Sequence, residues 1–136
     1  MTGTPSKRDR VLGGLWGSLV GDALGVPVEF KNRATLQADP VKDMREFGTH
    51  HQPRGTWSDD GAMILCTTDS LVNHEFDTAD MGQRFVRWMK EGLWTANGDV
   101  FDVGGRLPPR CFVSSKTCRP RRQAGLRRLA RRILLG

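Results

Sequence analysis

DRVLGGLWGSLVGDAL, residues 9–24, decides the fold class more than any other stretch. Val11, Leu12, Leu15, Trp16, Leu19, Val20, Ala23 and Leu24 recur with the three-then-four spacing of one buried helix face. Ser6, with Asp9 three residues on, makes a capping pair at its start, and Gly25 followed by Pro27 supplies the stop. Gly13, Gly14, Gly17 and Gly21 each cost about 1 kcal/mol against alanine inside such a helix. Glycine kept at that cost is expected to permit close approach of another backbone or of a ligand.

Outward from this helix, residues 26–57 carry Pro27, Pro40 and Pro53 and no sustained period, so they read as loop with at most a short helix near 34–38. A second long helix is expected from residue 59 or 60 to about 73, burying Met63, Ile64, Leu71 and their neighbours. A third follows Thr78 as cap, with Met81, Phe85, Trp88 and Met89 inward and Gly92 at its end. Residues 93–105 are turn-rich. No stretch alternates as a strand does, no internal repeat is visible, and an all-α domain is the expectation.

Charge divides the chain in two. Up to Gly105 there are 11 Lys+Arg against 15 Asp+Glu, whereas residues 106–136 hold 10 Lys+Arg and no acid. The overall charge of +6 and the pI of 9.9 therefore describe the tail and not the domain. The expected organisation is a flexible N-terminus over 1–8, a helical domain over 9–105 and a basic tail over 106–136. Cys66 falls in a helical pattern and reads as a small buried apolar group. Cys111 and Cys118 have no partner pair that would complete a zinc site or a secretory disulfide framework. The N-terminus is polar and the apolar stretch after it is broken by glycines and Asp22, so neither a signal peptide nor a membrane span is expected. A cytoplasmic monomer is the expectation.

Two segments carry the chemistry. In Gly55-Thr56-Trp57-Ser58-Asp59-Asp60, three oxygen-bearing side chains stand directly before a helix. Alone, Ser-Asp-Asp there is an ordinary cap, favoured by the free amides and the dipole of the helix start. The alternative is that, where the backbone turns into a helix, the three converge on one cation; hydroxyl and carboxylate oxygens suit Mg²⁺ or Mn²⁺ and suit zinc poorly. The second segment, GDALGVPVEF over residues 21–30, puts Asp22 where the first helix ends and Glu29 in a loop. Asp22 either pairs with a basic residue or free amide or serves a site, and Glu29 alone would be an unremarkable solvated glutamate.

Taken together, GDALGVPVEF and GTWSDDGAMILCTTDSL (residues 55–71) resemble the opening of the ADP-ribosylglycohydrolases, the group that includes the enzyme reactivating dinitrogenase reductase. WMKEGLWTANGDVFDVGG, residues 88–105, is similar to the family's next block. The resemblance covers about residues 9–105 and implies the N-terminal part of an orthogonal helical bundle, truncated. It also implies a hydrolase that cleaves the bond between an acceptor and the anomeric carbon of ADP-ribose, with two Mg²⁺ or Mn²⁺ ions. By this resemblance Ser58, Asp59 and Asp60 match metal ligands, Glu29 with Asp60 the catalytic pair, and Asp22 with Gly25 the substrate-binding GD…G stretch. The implied partner is an ADP-ribosylated protein or an ADP-ribose-type small molecule. Two divalent ions grip ribose hydroxyls and withdraw electron density as the glycosidic bond breaks, and a carboxylate serves as base or positioner.

Two departures bear on this. Residue 61 is Gly where the family usually has Thr, and no Asp or Glu follows Asp102, although family members take their remaining ligands from an Asp-rich motif near the C-terminal end. At most one half-site, and impaired hydrolysis, is the expectation. For residues 106–136 three readings stand open: a frameshift product, a plain solvated tail, or a basic amphipathic helix over 123–135 with Leu126, Leu129, Ala130, Ile133 and Leu134 on one face. The last would give contact with nucleic acid or an anionic membrane. Against the hydrolase stand two other classes: a non-catalytic ADP-ribose or metal binder, and a module driven by that tail.

Overall fold

A computed structural model describes residues 3–103; the cysteines, the amphipathic segment and the other features expected over 106–136 lie outside the described residues. Four α-helices account for the regular structure, and no strand occurs among the described residues. They are α1 (Lys7–Gly25), α2 (Arg33–Ala38), α3 (Asp59–His74) and α4 (Thr78–Glu91), with one 3₁₀ turn, Val26–Val28, after α1. They belong to two compact units, the first ending at Gly61 and the second beginning at Ala62.

In the first unit, α1 begins with the expected capping box. The Asp9 amide donates to Ser6 Oγ at 3.1 Å and the Ser6 amide donates to Asp9 Oδ2 at 3.1 Å. The stop works differently from expectation. Gly25 stays right-handed at φ −73°, so it is no left-handed cap. Pro27, which has no N–H to continue the α-ladder, turns the chain into the 3₁₀ segment instead.

The expected apolar face of α1 is only partly covered. Leu19 and Ala23 are buried beside the equally buried Val26, Pro27 and Val28, Leu12, Leu15 and Leu24 are half-buried, and Val11, Trp16 and Val20 are exposed. Burial thus concentrates where the helix meets its own following turn. A Cβ at Gly13, Gly14, Gly17 or Gly21 would meet nothing within 4 Å among the described residues. Lys7–Val28 is long and apolar enough to cross a bilayer by length and composition, yet its Asp22 is engaged within the protein, as described below. The short α2 is capped by Asn32, whose Oδ1 accepts from the Thr35 amide at 2.8 Å.

In the second unit, the buried stripe of α3 is Ala62, Leu65, Cys66 and Ser70, not the Met63, Ile64 and Leu71 expected from hydropathy; Leu71 is exposed. Beside Leu65, small or weakly polar side chains complete that stripe, which a hydrophobicity pattern under-weights. α4 starts one residue earlier than expected, at the Asp77 cap, whose Oδ1 accepts from the Ala79 and Asp80 amides at 2.8 and 3.1 Å. Trp88 is its buried inner residue, and Gly92 at φ 66° ends it as expected, in the left-handed conformation glycine adopts without strain. Burial pushes the Cys66 thiol up to about 12, which makes it an inert core group as expected.

Arg84 ties α3 to α4. Its guanidinium pairs with Asp69 and, at 2.5 Å, with Asp80, while the Trp94 indole N–H donates to Asp69 Oδ2 at 3.2 Å. The guanidinium hydrogen bond holds the Asp80 carboxyl below its ordinary value of 3.8. A folded value below the unfolded one means a contribution present above pH 3.8 and lost as the pH falls through the folded value. Acid titration of the unfolding temperature is therefore expected to show a steeper drop for the parent chain than for Asp80→Asn. Identical acid limbs would mean that Arg84 does not favour the ionised form.

Candidate functional site

Asp22, in the last turn of α1, reaches 36 residues along the chain to the start of α3. Its Oδ1 accepts from the Ser58 hydroxyl at 2.8 Å, and its Oδ2 accepts from the backbone amides of Ser58 at 2.9 Å and Gly61 at 2.8 Å. A helix start leaves amides without intrahelical acceptors and carries about +0.5 of an elementary charge. A carboxylate from a distant element satisfies both. Gly55, left-handed at φ 76°, turns the chain into this approach, and Thr56 and Ser58 are buried.

Three acids, Asp22, Asp59 and Asp60, then stand at one helix end. One would satisfy the free amides, so their summed charge far exceeds the half charge of the dipole. Asp59 is half-buried and Asp60 exposed, and the Asp60 amide makes a long 3.4 Å donation to Ser58 Oγ. Because the Ser58 hydroxyl proton is directed at Asp22, its oxygen turns lone pairs elsewhere. That donor set, a hydroxyl oxygen followed by two carboxylates, fits a hard divalent cation and not a soft one.

Gly61 stands where a side chain would collide. A Cβ there would lie 2.7 Å from Asp22 Oδ2 and 2.8 Å from Trp57 Cβ and Cδ1. Trp57 and the triply bonded carboxylate therefore sit flush against the helix. Alanine gains about 1 kcal/mol of helix propensity, yet the clash outweighs it. Gly61→Ala is expected to lose about 2 kcal/mol net in denaturant unfolding; a more stable variant would show that Asp22 and Trp57 yield freely.

Glu29 follows the 3₁₀ turn and is anchored by a loop segment that sequence reasoning left unremarked. The Thr49 amide donates to Pro27 O at 3.1 Å, Thr49 Oγ1 donates to Glu29 O at 2.7 Å, and His50 Nε2 lies 2.5 Å from Glu29 Oε2. Beneath them Gly48 presses on Pro27 so closely that a Cβ would fall 1.9 Å from the carbonyl oxygen. Phe30 and Phe47, both exposed and both held at positive φ (62° and 50°), flank this segment. Such backbone is costly for an aromatic residue and occurs where surrounding contacts over-determine it.

The expected site residues thus fall into two groups. Asp22, Ser58, Asp59 and Asp60 gather at the α3 start, and Glu29 gathers with Thr49 and His50. Among the described residues, no set of three Asp, Glu, His or Cys ligand atoms within 4.8 Å of one another includes Asp59 or Asp60. Both oxygens of Asp22 accept from protein donors at the start of α3. Gly25 is exposed with open space where a Cβ would stand. His50, Thr49, Gly48 and Trp57 were missed. The adjacent histidines 50 and 51 between Pro40 and Pro53 were the one available hint.

Comparison with known proteins adds four findings. The family model described as ADP-ribosylglycohydrolase matches residues 3–132, which extends past Gly105. The chain is 38% identical over 97 residues to ADP-ribosylarginine hydrolase Tri1 of Pseudomonas putida (strain GB-1), covering 71% of this chain and 25% of that protein. It is 35% identical to an ADP-ribosyl-dinitrogen reductase glycohydrolase of Rhodospirillum rubrum, covering 85% and 46%. A solved structure titled ADP-ribosylglycohydrolase-related protein complex aligns with a TM-score of 0.55 and 41% identity, covering 60% of this chain and 28% of that one. The chain spans between a quarter and a half of the length of these relatives.

Proposed function

Because this chain belongs to the ADP-ribosylglycohydrolase family, we propose that it serves the metal-dependent hydrolysis of ADP-ribose from protein arginine. The bond broken joins the anomeric carbon of the ribose to the guanidino nitrogen. The observation that carries this reading is the Ser58 hydroxyl, its proton given to Asp22 and its oxygen followed by two carboxylates at the α3 start. Ser58, Asp59 and Asp60 would hold a Mg²⁺ or Mn²⁺ ion. That ion would orient ribose hydroxyls and withdraw electron density from the breaking bond.

The chain's own residues do the rest. Asp22 fixes the rotamer of Ser58 and the start of α3, so the donor oxygens are set before anything binds. Glu29 accepts a proton from the attacking water, whose hydroxide oxygen bonds to the anomeric carbon as the carbon–nitrogen pair leaves with the guanidine. That nitrogen recovers a proton from Glu29 or solvent, so the products are ADP-ribose and arginine. Support for arginine as acceptor is the Pseudomonas putida relative, an ADP-ribosylarginine hydrolase.

Titration calorimetry with Mn²⁺, paired with release of ADP-ribose from arginine-ADP-ribosylated protein, tests the reading. The parent chain is expected to bind Mn²⁺ and release ADP-ribose, with Asp60→Ala losing at least tenfold in both, as removal of a first ligand predicts. Metal and ADP-ribose binding without release would reassign the chain as a non-catalytic binder. No Mn²⁺ binding at all would overturn the proposal.

A further inference from the structure

The geometry points to His50 as the positioning residue of Glu29: its imidazole, carried on the Gly48-Thr49-His50 segment, holds the Glu29 carboxylate in one orientation for the reaction. The inference rests on Glu29 acting as proposed above and adds a residue whose work is on another side chain. A carboxylate can only accept, so His50 Nε2 carries the hydrogen in the 2.5 Å contact to Glu29 Oε2. A glutamate has three rotatable bonds and loses much freedom on ordering, and the Glu29 side chain remains 35% exposed. The partner is better fixed, being 15% exposed and possessing two rotors.

Three contacts fix the backbone beneath that imidazole. The Thr49 amide donates to Pro27 O, Thr49 Oγ1 donates to the Glu29 carbonyl, and Gly48 fits flush on Pro27 where any side chain would collide. Residues 48–50 and 27–29 are thereby pinned together across about 21 positions of sequence, with the imidazole meeting the carboxylate as a further contact. The Phe30 ring, tilted 56° at 6.0 Å from the imidazole centroid, borders its flank. None of this arrangement is needed to cap a helix or fill a core, since Glu29 is not buried. Its effect falls on where one carboxylate oxygen points.

The test uses the full chain, with His50→Ala and His50→Gln beside the parent. Glutamine offers an amide N–H near the position of Nε2, while alanine offers none. His50→Ala is expected to lower kcat for ADP-ribose release by 10–100-fold, the order associated with small misplacement of a reacting group. KM is expected to change by less than threefold, and His50→Gln to recover most of the loss. A structural role alone would move thermal stability in both variants and would not separate kcat from KM. Proton NMR supplies a readout free of turnover: a His50 imidazole N–H resonance downfield of the amide envelope, absent in His50→Ala and moved upfield in Glu29→Gln. Unchanged kcat in His50→Ala, or an imidazole resonance indifferent to Glu29→Gln, overturns the inference. Should the parent chain release no ADP-ribose while the coupled resonance is present, the proposed function fails and the positioning of Glu29 stands.

Discussion

Asp22→Ala is expected to unfold about 10 °C below the parent chain, a loss of about 3 kcal/mol for a domain of this size. The side chain is small and only half-buried, so lost packing supplies little of that. What is lost is the acceptor for three donors at once: the Ser58 hydroxyl and the amides of Ser58 and Gly61. A single cap residue contributes about 1 kcal/mol, but hydrogen bonds to a charged acceptor contribute about 1.5–3 kcal/mol each and are not additive. The Gly61 amide is the more exposed to the change, since this glycine is itself buried and no water readily replaces the carboxylate.

Hydrogen exchange resolved to single amides checks the mechanism, because protection should fall at Ser58 and Gly61 and remain in the middle of α3. The same variant should bind Mn²⁺ 10–100-fold more weakly, the order reported by removal of groups that orient a ligand. Asp22→Asn, which keeps one acceptor oxygen and turns the other position into a donor, should fall between. An unfolding temperature unchanged in Asp22→Ala would mean that the α3 start finds its partners elsewhere.

Gly48→Ala is expected to be as damaging for a different reason. The new Cβ would stand 1.9 Å from Pro27 O and 2.6 Å from Pro27 C and Cα, all backbone atoms of a buried residue in a 3₁₀ turn. No rotamer change relieves such a clash, so the loop must lift by more than 1 Å, at a cost of about 3 kcal/mol. Lifting it breaks the Thr49 contacts to Pro27 and Glu29 and withdraws His50 from the Glu29 carboxylate. Glycine to alanine elsewhere in the chain supplies the control. Gly13→Ala and Gly17→Ala meet open space among the described residues and gain helix propensity, so each should raise stability by up to about 1 kcal/mol. Chemical denaturation of the three variants decides the matter, and a Gly48→Ala chain as stable as the parent would exclude the tight approach of residues 48 and 27.

The contrast between those glycines shows where reading a sequence succeeds and where it stops. Residue type and local spacing determined the four helical segments, the Ser6–Asp9 capping box, the left-handed end at Gly92 and the buried Cys66. Each depends on residues no more than four positions apart or on a residue's own conformational freedom. The two motifs likewise carried the family. Only the tertiary structure decided which glycines are held against neighbours, because a glycine in open space and one pressed on Pro27 look the same in a string of letters.

It also decided that the buried side of α3 runs through Ala62, Leu65 and Ser70 beside Cys66, that Asp22 caps α3 across 36 residues, and that His50 meets Glu29 across 21. Hydrogen bonds and contacts between residues that far apart follow no period. They are set by how separately formed elements come together, where a fraction of an ångström separates a bond from a clash.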